Sequence, residues 1–291
     1  MQITTTGNLV VISNPTNFNA RSCLKSGQAF RFNETAEYCE VWAGKEYAKV
    51  FDNAKDKVII ECTNPKFFVN YFDLSTDYGN IIAGFGGYPA LQEVLSYSNG
   101  VRLLNQDLPE VIVGFIISAN NNIPRIRKSV ENICNKLAEQ NSPLERGGRV
   151  ADGVCFPTLQ TLAGADEQFF KSAGLGYRAP YMVKAIKQLA ETDILEQLPK
   201  LSTPQARKLL MTLPGVGPKV ADCILIFGLG RRDRFPVDTW IEKVYYKFFG
   251  TEKLPREKIA DKLSRQFGDK SAYIQQYLFY WIRESKNSPL R

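Results

Sequence analysis

Histidine does not occur anywhere in the 291 residues. Its absence removes the side chain most used for proton transfer near neutral pH, and with it most zinc-binding sets. The six cysteines, at 23, 39, 62, 134, 155 and 223, form no CxxC pair and show no regular spacing, so neither a disulfide framework nor a thiol redox motif is expected. Scattered single cysteines fit a reducing compartment, where each packs as a small hydrophobe. No run approaches the roughly 20 consecutive apolar residues of a membrane helix. The opening MQITTTGNLVVISNPTNF has no basic segment leading into an apolar one, and the expectation is a soluble, unexported protein. Internal repeats and low-complexity tracts are missing too.

What is present is ordinary globular usage, 44% apolar and 23% charged, enough for a well-buried core. The length points to about two domains. The net charge of +7 is unevenly spread: residues 1–177 hold 16 basic and 18 acidic side chains, and 178–291 hold 21 and 12. That basic excess suits a surface meeting a polyanion, although a basic surface serving only solubility would give the same count.

The first 85 or so residues favour strands. YAKVF (47–51) and KVIIE (57–61) flank a polar DNAKD and read as a hairpin, and GFGGYP (84–89) marks a boundary between domains at 1–88 and 89–291. Beyond it the helical period dominates. Asp107 with Pro109 begins a buried helix through Val111–Ile117, and Asn122 with Pro124 begins another whose stripe is Ile126, Val130, Ile133 and Leu137. SPLERGGRVADG (142–153) reads as a loop, and GLG (174–176) breaks two further helices.

At about 203–229 the pattern becomes specific. Thr203 and Pro204 supply a cap and first position for a helix with the stripe Ala206, Leu209, Leu210 and Leu213; LPGVGP breaks it, and the period returns from Val220 through Cys223, Ile224 and Phe227. This is a helix-hairpin-helix. Gly215 and Gly217 let the backbone approach a ligand, and the second helix offers unpaired N–H groups and a positive dipole end, a site suited to a phosphate and to DNA binding without sequence preference. Lys219 falls in the first turn of that helix, where the dipole disfavours an ammonium and favours a nucleophilic amine. Asp238 can cap the helix starting near Thr239 while pointing a carboxylate toward the hairpin. Taken singly, the lysine could be a phosphate-binding surface residue and the aspartate a simple cap.

LPGVGPKVADC (213–223), followed by PVD with its aspartate nineteen residues after the lysine, resembles the helix-hairpin-helix DNA glycosylase superfamily. Within it, SGQAFRF (26–32), SANNNIPR (118–125), GLGYRA (174–179) and IQQYLF (274–279) are similar to the 8-oxoguanine DNA glycosylase/lyases. The resemblance implies an α+β fold: an N-terminal antiparallel β-sheet domain followed by a mostly α-helical helix-hairpin-helix domain with the cleft between helical subdomains. It implies removal of oxidised guanine from a flipped-out nucleotide, with attack on the sugar C1′ by Lys219, a Schiff base, β-elimination, and stabilisation of positive charge on the sugar by Asp238. It also implies that the Gly27 carbonyl meets the hydrogen at N7 that oxidised guanine has and guanine lacks. Cys223 and Phe279 would sandwich the base and Gln275 would meet its Watson–Crick edge.

Asn120 would occupy the space of the flipped nucleotide, Tyr177 would wedge into the other strand, and Arg125 and Arg178 would donate to an estranged cytosine. Gly215, Gly217, Val220 and Trp240 would contact DNA. Trp240 departs from the family, which has a histidine there near a phosphate; arginines 231, 232 and 234 are candidates to compensate, or else a solvated loop. The implied partner is double-stranded DNA containing oxidised guanine, with no membrane, acted on by a monomer. The place of action is cytoplasmic and nucleoid-associated in a bacterium or archaeon, or nuclear in a eukaryote. No cofactor is required, a monovalent cation at the hairpin fits the family, and no iron–sulfur cluster is expected because no cysteine follows Cys223. Two other readings stay open: a monofunctional glycosylase for another damaged base, using Asp238 and water, and a non-catalytic DNA clamp.

Overall fold

The computed structural model describes residues 1–52, 54, 56–140, 149–150 and 153–285, with the side chains of 140, 149 and 150 left aside. Six strands, β1 (Gln2–Thr6), β2 (Leu9–Ser13), β3 (Phe32–Glu34), β4 (Cys39–Ala43), β5 (Glu46–Phe51) and β6 (Lys57–Cys62), form one antiparallel sheet in the order β1-β2-β6-β5-β4-β3. Alternation explains the register. Val10 and Ile12 on β2, Val50 on β5 and Ile60 on β6 lie on one face and are fully buried, with Val50 opposite Ile60 and Lys49 opposite Glu61 one step along. The expected hairpin is therefore present, each strand longer by one residue. Phe68 and Tyr71, from a helix at Pro65–Tyr71, cover that face.

Eight longer helices follow among the described residues: α1 (Leu108–Ser118), α2 (Ile123–Gln140), α3 (Ala179–Glu191), α4 (Thr203–Leu210), α5 (Pro218–Leu229), α6 (Thr239–Phe248), α7 (Arg256–Phe267) and α8 (Ser271–Glu284). In α1 every residue from Val111 to Ile117 is buried, the pattern of a helix surrounded by others. It packs on α5, where Phe115 stacks on Phe227 with ring centroids 5.5 Å apart. Asp107 caps α1 through the Glu110 amide, and the stripe expected on α2 is buried throughout. One cap differs from expectation. Ser202, not Thr203, stands before α4, its amide donating to Gln205 Oε1 at 3.1 Å in a capping box.

The sheet and the helices share residues across the chain. Tyr78 and Phe85 pack in the helical core, and Leu104 returns to the sheet core. Between them the backbone of 104–106 is pinned by Gln28 Oε1 to Leu104 N, Tyr71 O to Asn105 N and Phe227 O to Gln106 N, at 2.8–2.9 Å. Of the segment read as a loop at 142–153, residues 142–148 and 151–152 lie outside those described, while 149–150 pair with 153–154 in a short antiparallel ladder. Among the described residues no helix is long and apolar enough to cross a membrane.

Candidate active site

The hairpin between α4 and α5 needs its two glycines for different reasons. Gly215 has φ +86°, a left-handed conformation that favours glycine, and a Cβ there would lie 3.2 Å from Ile116 and Tyr181 side-chain atoms. Gly217 is extended, precedes α5, and would meet nothing within 4 Å, so its contribution is open backbone at a helix N-terminus. Lys219 follows in the first turn, half-buried, with its Nζ 5.4 Å from the centroid of the Phe115 ring. No carboxylate lies within ion-pair distance of it among the described residues. Asp238 caps α6: Oδ1 accepts from the amides of Trp240 and Ile241, both at 2.9 Å, while Oδ2 accepts nothing among the described residues.

Both residues open on one cleft of about 730 Å³, whose lining also includes Gly27, Phe279, Asn120, Gly215, Gly217, Val220 and Trp240. Gly27 lies within an irregular helical turn at Leu24–Gln28, with φ +84°. A Cβ there would stand 2.9 Å from atoms of Phe279, Ile123 and Arg283, so both conformation and space demand glycine. The carbonyls on either side are already engaged: Ser26 O accepts from Gln276 Nε2 at 2.8 Å and Gln28 O from Gln106 Nε2 at 2.9 Å.

Other expected residues sit elsewhere. Cys223 and Gln275 are buried, 4% and 6% exposed, and do not line the cleft; Gln275 Nε2 donates to Pro236 O. Burial pushes the Cys223 thiol up to about 11, with the neighbouring Lys219 ammonium pulling the other way. Arg125 is exposed at the start of α2. Arg178, implied to meet a base, is instead 5% exposed, its Nε and Nη2 donating to Ala119 O and Asn120 O at 2.7 Å. It thereby holds the turn in which Asn120 has φ +50°. Tyr177 is 58% exposed, with Arg178 against its ring and its hydroxyl on Ala119 O.

Arginines 231, 232 and 234 form no solvated loop but are each engaged within the protein. Arg231 donates to Pro199 O and Leu201 O, Arg232 to Ile226 O and Asn105 Oδ1, and Arg234 to Asp222 Oδ1. The cation beside the indole is Lys243, 4.9 Å from the Trp240 ring centroid and one turn along α6, a position that helical spacing could have disclosed. Sequence reasoning also passed over Phe30 and Phe115 in the cleft wall, and Arg207 and Asp222, which line it as well. Among the described residues no group of three or more His, Cys, Asp or Glu could hold a metal, and the Leu213 carbonyl of the hairpin already accepts from Val216 N–H.

Residues 10–112 match the family described as 8-oxoguanine DNA glycosylase, N-terminal domain, and residues 113–269 match the HhH-GPD superfamily base excision DNA repair proteins. The chain belongs to the 8-oxoguanine DNA glycosylase family. A probable N-glycosylase/DNA lyase of Methanothermobacter thermautotrophicus is 32% identical over 67% of this chain and 67% of its own length. The Clostridium acetobutylicum 8-oxoguanine glycosylase/lyase, solved with double-stranded DNA containing cytosine opposite 8-oxoG, is 32% identical with a TM-score of 0.88 over 98% of each chain. MBOgg1, solved with a low-affinity DNA ligand, is 34% identical with a TM-score of 0.87, over 97% of this chain and 98% of that one.

Proposed function

We propose that this protein is a bifunctional DNA glycosylase and abasic-site lyase that excises 8-oxoguanine, with cytosine preferred opposite the lesion, acting as a monomer and needing no cofactor. The observation that carries the reading is that Lys219, Asp238, Gly27 and Phe279, from four separate segments, line the same cleft. Its size suits a flipped nucleotide. The neutral Lys219 amine bonds to C1′ as the C1′–N9 bond breaks, the electron pair leaving with the base, which then takes a proton. Asp238 Oδ2, unused by the amides that hold Oδ1, faces the positive charge growing on the sugar. Opening of the sugar leaves an imine between C1′ and Lys219. Loss of a C2′ proton then expels the 3′ phosphate and cuts the strand.

Recognition falls to the sheet side. The Gly27 carbonyl accepts the N7 hydrogen of the oxidised base, and guanine, with an acceptor there, is disfavoured by about 1–3 kcal/mol in a desolvated pocket. Phe279 forms one face of the base pocket, and Cys223 and Gln275 come into contact with the base only if the pocket wall moves to admit it. Asn120 and Tyr177 fill and wedge the stack. Arg125 reads the estranged cytosine, and Arg178 holds the Asn120 turn.

Borohydride reduction tests the central step. Incubation with a duplex carrying one 8-oxoguanine is expected to trap a covalent enzyme–DNA adduct that Lys219→Gln abolishes. Excision without an adduct would indicate a monofunctional enzyme, and binding without excision a clamp.

A further inference from the structure

Asp222 lies one helical turn beyond Lys219 on α5, a spacing at which an aspartate and a lysine on one face ordinarily pair. Both line the cleft, yet they do not pair. Asp222, 1% exposed, accepts from Arg207 Nε at 2.8 Å and Arg234 Nε at 3.0 Å on Oδ1, and from Arg207 Nη2 at 3.4 Å on Oδ2. Arg207 stands on α4, the first helix of the hairpin, and Arg234 stands four residues before Asp238. One buried carboxylate thus joins both hairpin helices to the segment that presents the cleft's other acid. On their outer sides the arginines meet Glu257 at 3.4 Å and Asp261 at 3.8 Å, both on α7.

We propose that Arg207 and Arg234 are positioning residues for the Lys219 amine: by saturating Asp222 they keep its carboxylate from capturing Lys219 in an ion pair. This rests on Lys219 as the nucleophile. A lysine paired with a buried carboxylate is held as an ammonium and turned away from the sugar. Lys219 also acts on the Cys223 thiol of its own helix, lies over the Phe115 ring of α1 and shares the cleft with Asp238, the cap of α6. None of these accounts for two arginines converging on one carboxylate beside it.

Single-turnover excision and borohydride trapping on an 8-oxoguanine duplex, with the full chain, provide the test. Arg234→Gln and, independently, Arg207→Gln are expected to slow trapping by about tenfold or more, while DNA affinity stays within about threefold. Adding Asp222→Asn to either variant is expected to recover about tenfold, because the freed carboxylate is gone. A clamp with a purely structural task gives the reverse order, each double variant slower than its single. Unchanged trapping in both single variants, or a further loss in both doubles, overturns the proposal while leaving Lys219 as the nucleophile. A wild-type chain that forms no adduct overturns that reading and this proposal together.

Discussion

Gln275 and Gln276 are neighbours on α8 whose side chains hold two separate segments lining the same cleft. Gln275 Nε2 donates to Pro236 O, two residues before Asp238, and Gln276 Nε2 donates to Ser26 O, one residue before Gly27. Both side chains are almost fully buried. A single helical step therefore ties the turn that holds Gly27 to the segment that presents Asp238.

Gln276→Leu removes the bond to Ser26 O and leaves that carbonyl unsatisfied. A loss of stability of about 1–3 kcal/mol is expected in denaturant titration. Preference for 8-oxoguanine over guanine should fall further than the rate on an abasic site. Equal loss on both substrates would show that Gln276 only supports the fold.

Gly27→Ala places a methyl group against Phe279, Ile123 and Arg283 and strains a backbone at φ +84°. Excision of 8-oxoguanine is expected to drop by about a hundredfold or more, the cost of roughly 3 kcal/mol of clash and strain. Cleavage of DNA already lacking the base should survive, since nothing then enters that corner. Gel assays on the two duplexes decide it.

Arg125 and Arg178 should separate by opposite-base dependence. Arg125→Ala is expected to lower excision opposite cytosine by about tenfold and leave excision opposite adenine little changed, the loss of one base-directed hydrogen-bonding pair. Arg178→Lys releases the Asn120 turn and should slow both duplexes alike. An opposite-base ratio unmoved by Arg125→Ala would remove Arg125 from recognition.

Alkaline pH should destabilise the fold. Burial pushes Cys23 and Cys134 up to about 12 and Cys223 up to about 11, from an ordinary value of 9.0. Above pH 9 the unfolded thiols lose protons that the folded ones keep, so the folded state binds more protons and stability falls as pH rises. The contribution is fully present below pH 9 and is lost between about pH 9 and 11–12, at about 1.4 kcal/mol per pH unit for each thiol. Denaturant midpoints across that range should decline, and less steeply in Cys134→Ala.

What the sequence disclosed follows from how local each signal is. The helix at Leu108–Ser118 is written in its own residues, an apolar run behind an Asp107 cap, and the hairpin likewise in Gly215, Gly217 and Lys219. The burial of Cys223 was not so legible, because it depends on packing from distant elements such as α1. Arginines 231, 232 and 234 read as a basic loop since three of their acceptors, Pro199 O, Asn105 Oδ1 and Asp222 Oδ1, lie 32, 127 and 12 residues away. The bonds of Arg178 were hidden for the same reason: the Ala119 and Asn120 carbonyls it serves are 59 and 58 positions upstream.

The division of labour across this cleft also has an order in time. Residue 27 is synthesised long before residue 219, and the sheet that seats Gly27 is complete by Cys62. Yet Gln276 and Phe279, which hold and wall the Gly27 corner, both belong to α8, so in a nascent chain the earliest-made side of the cleft stays unfinished until a segment later than both Lys219 and Asp238 has been added.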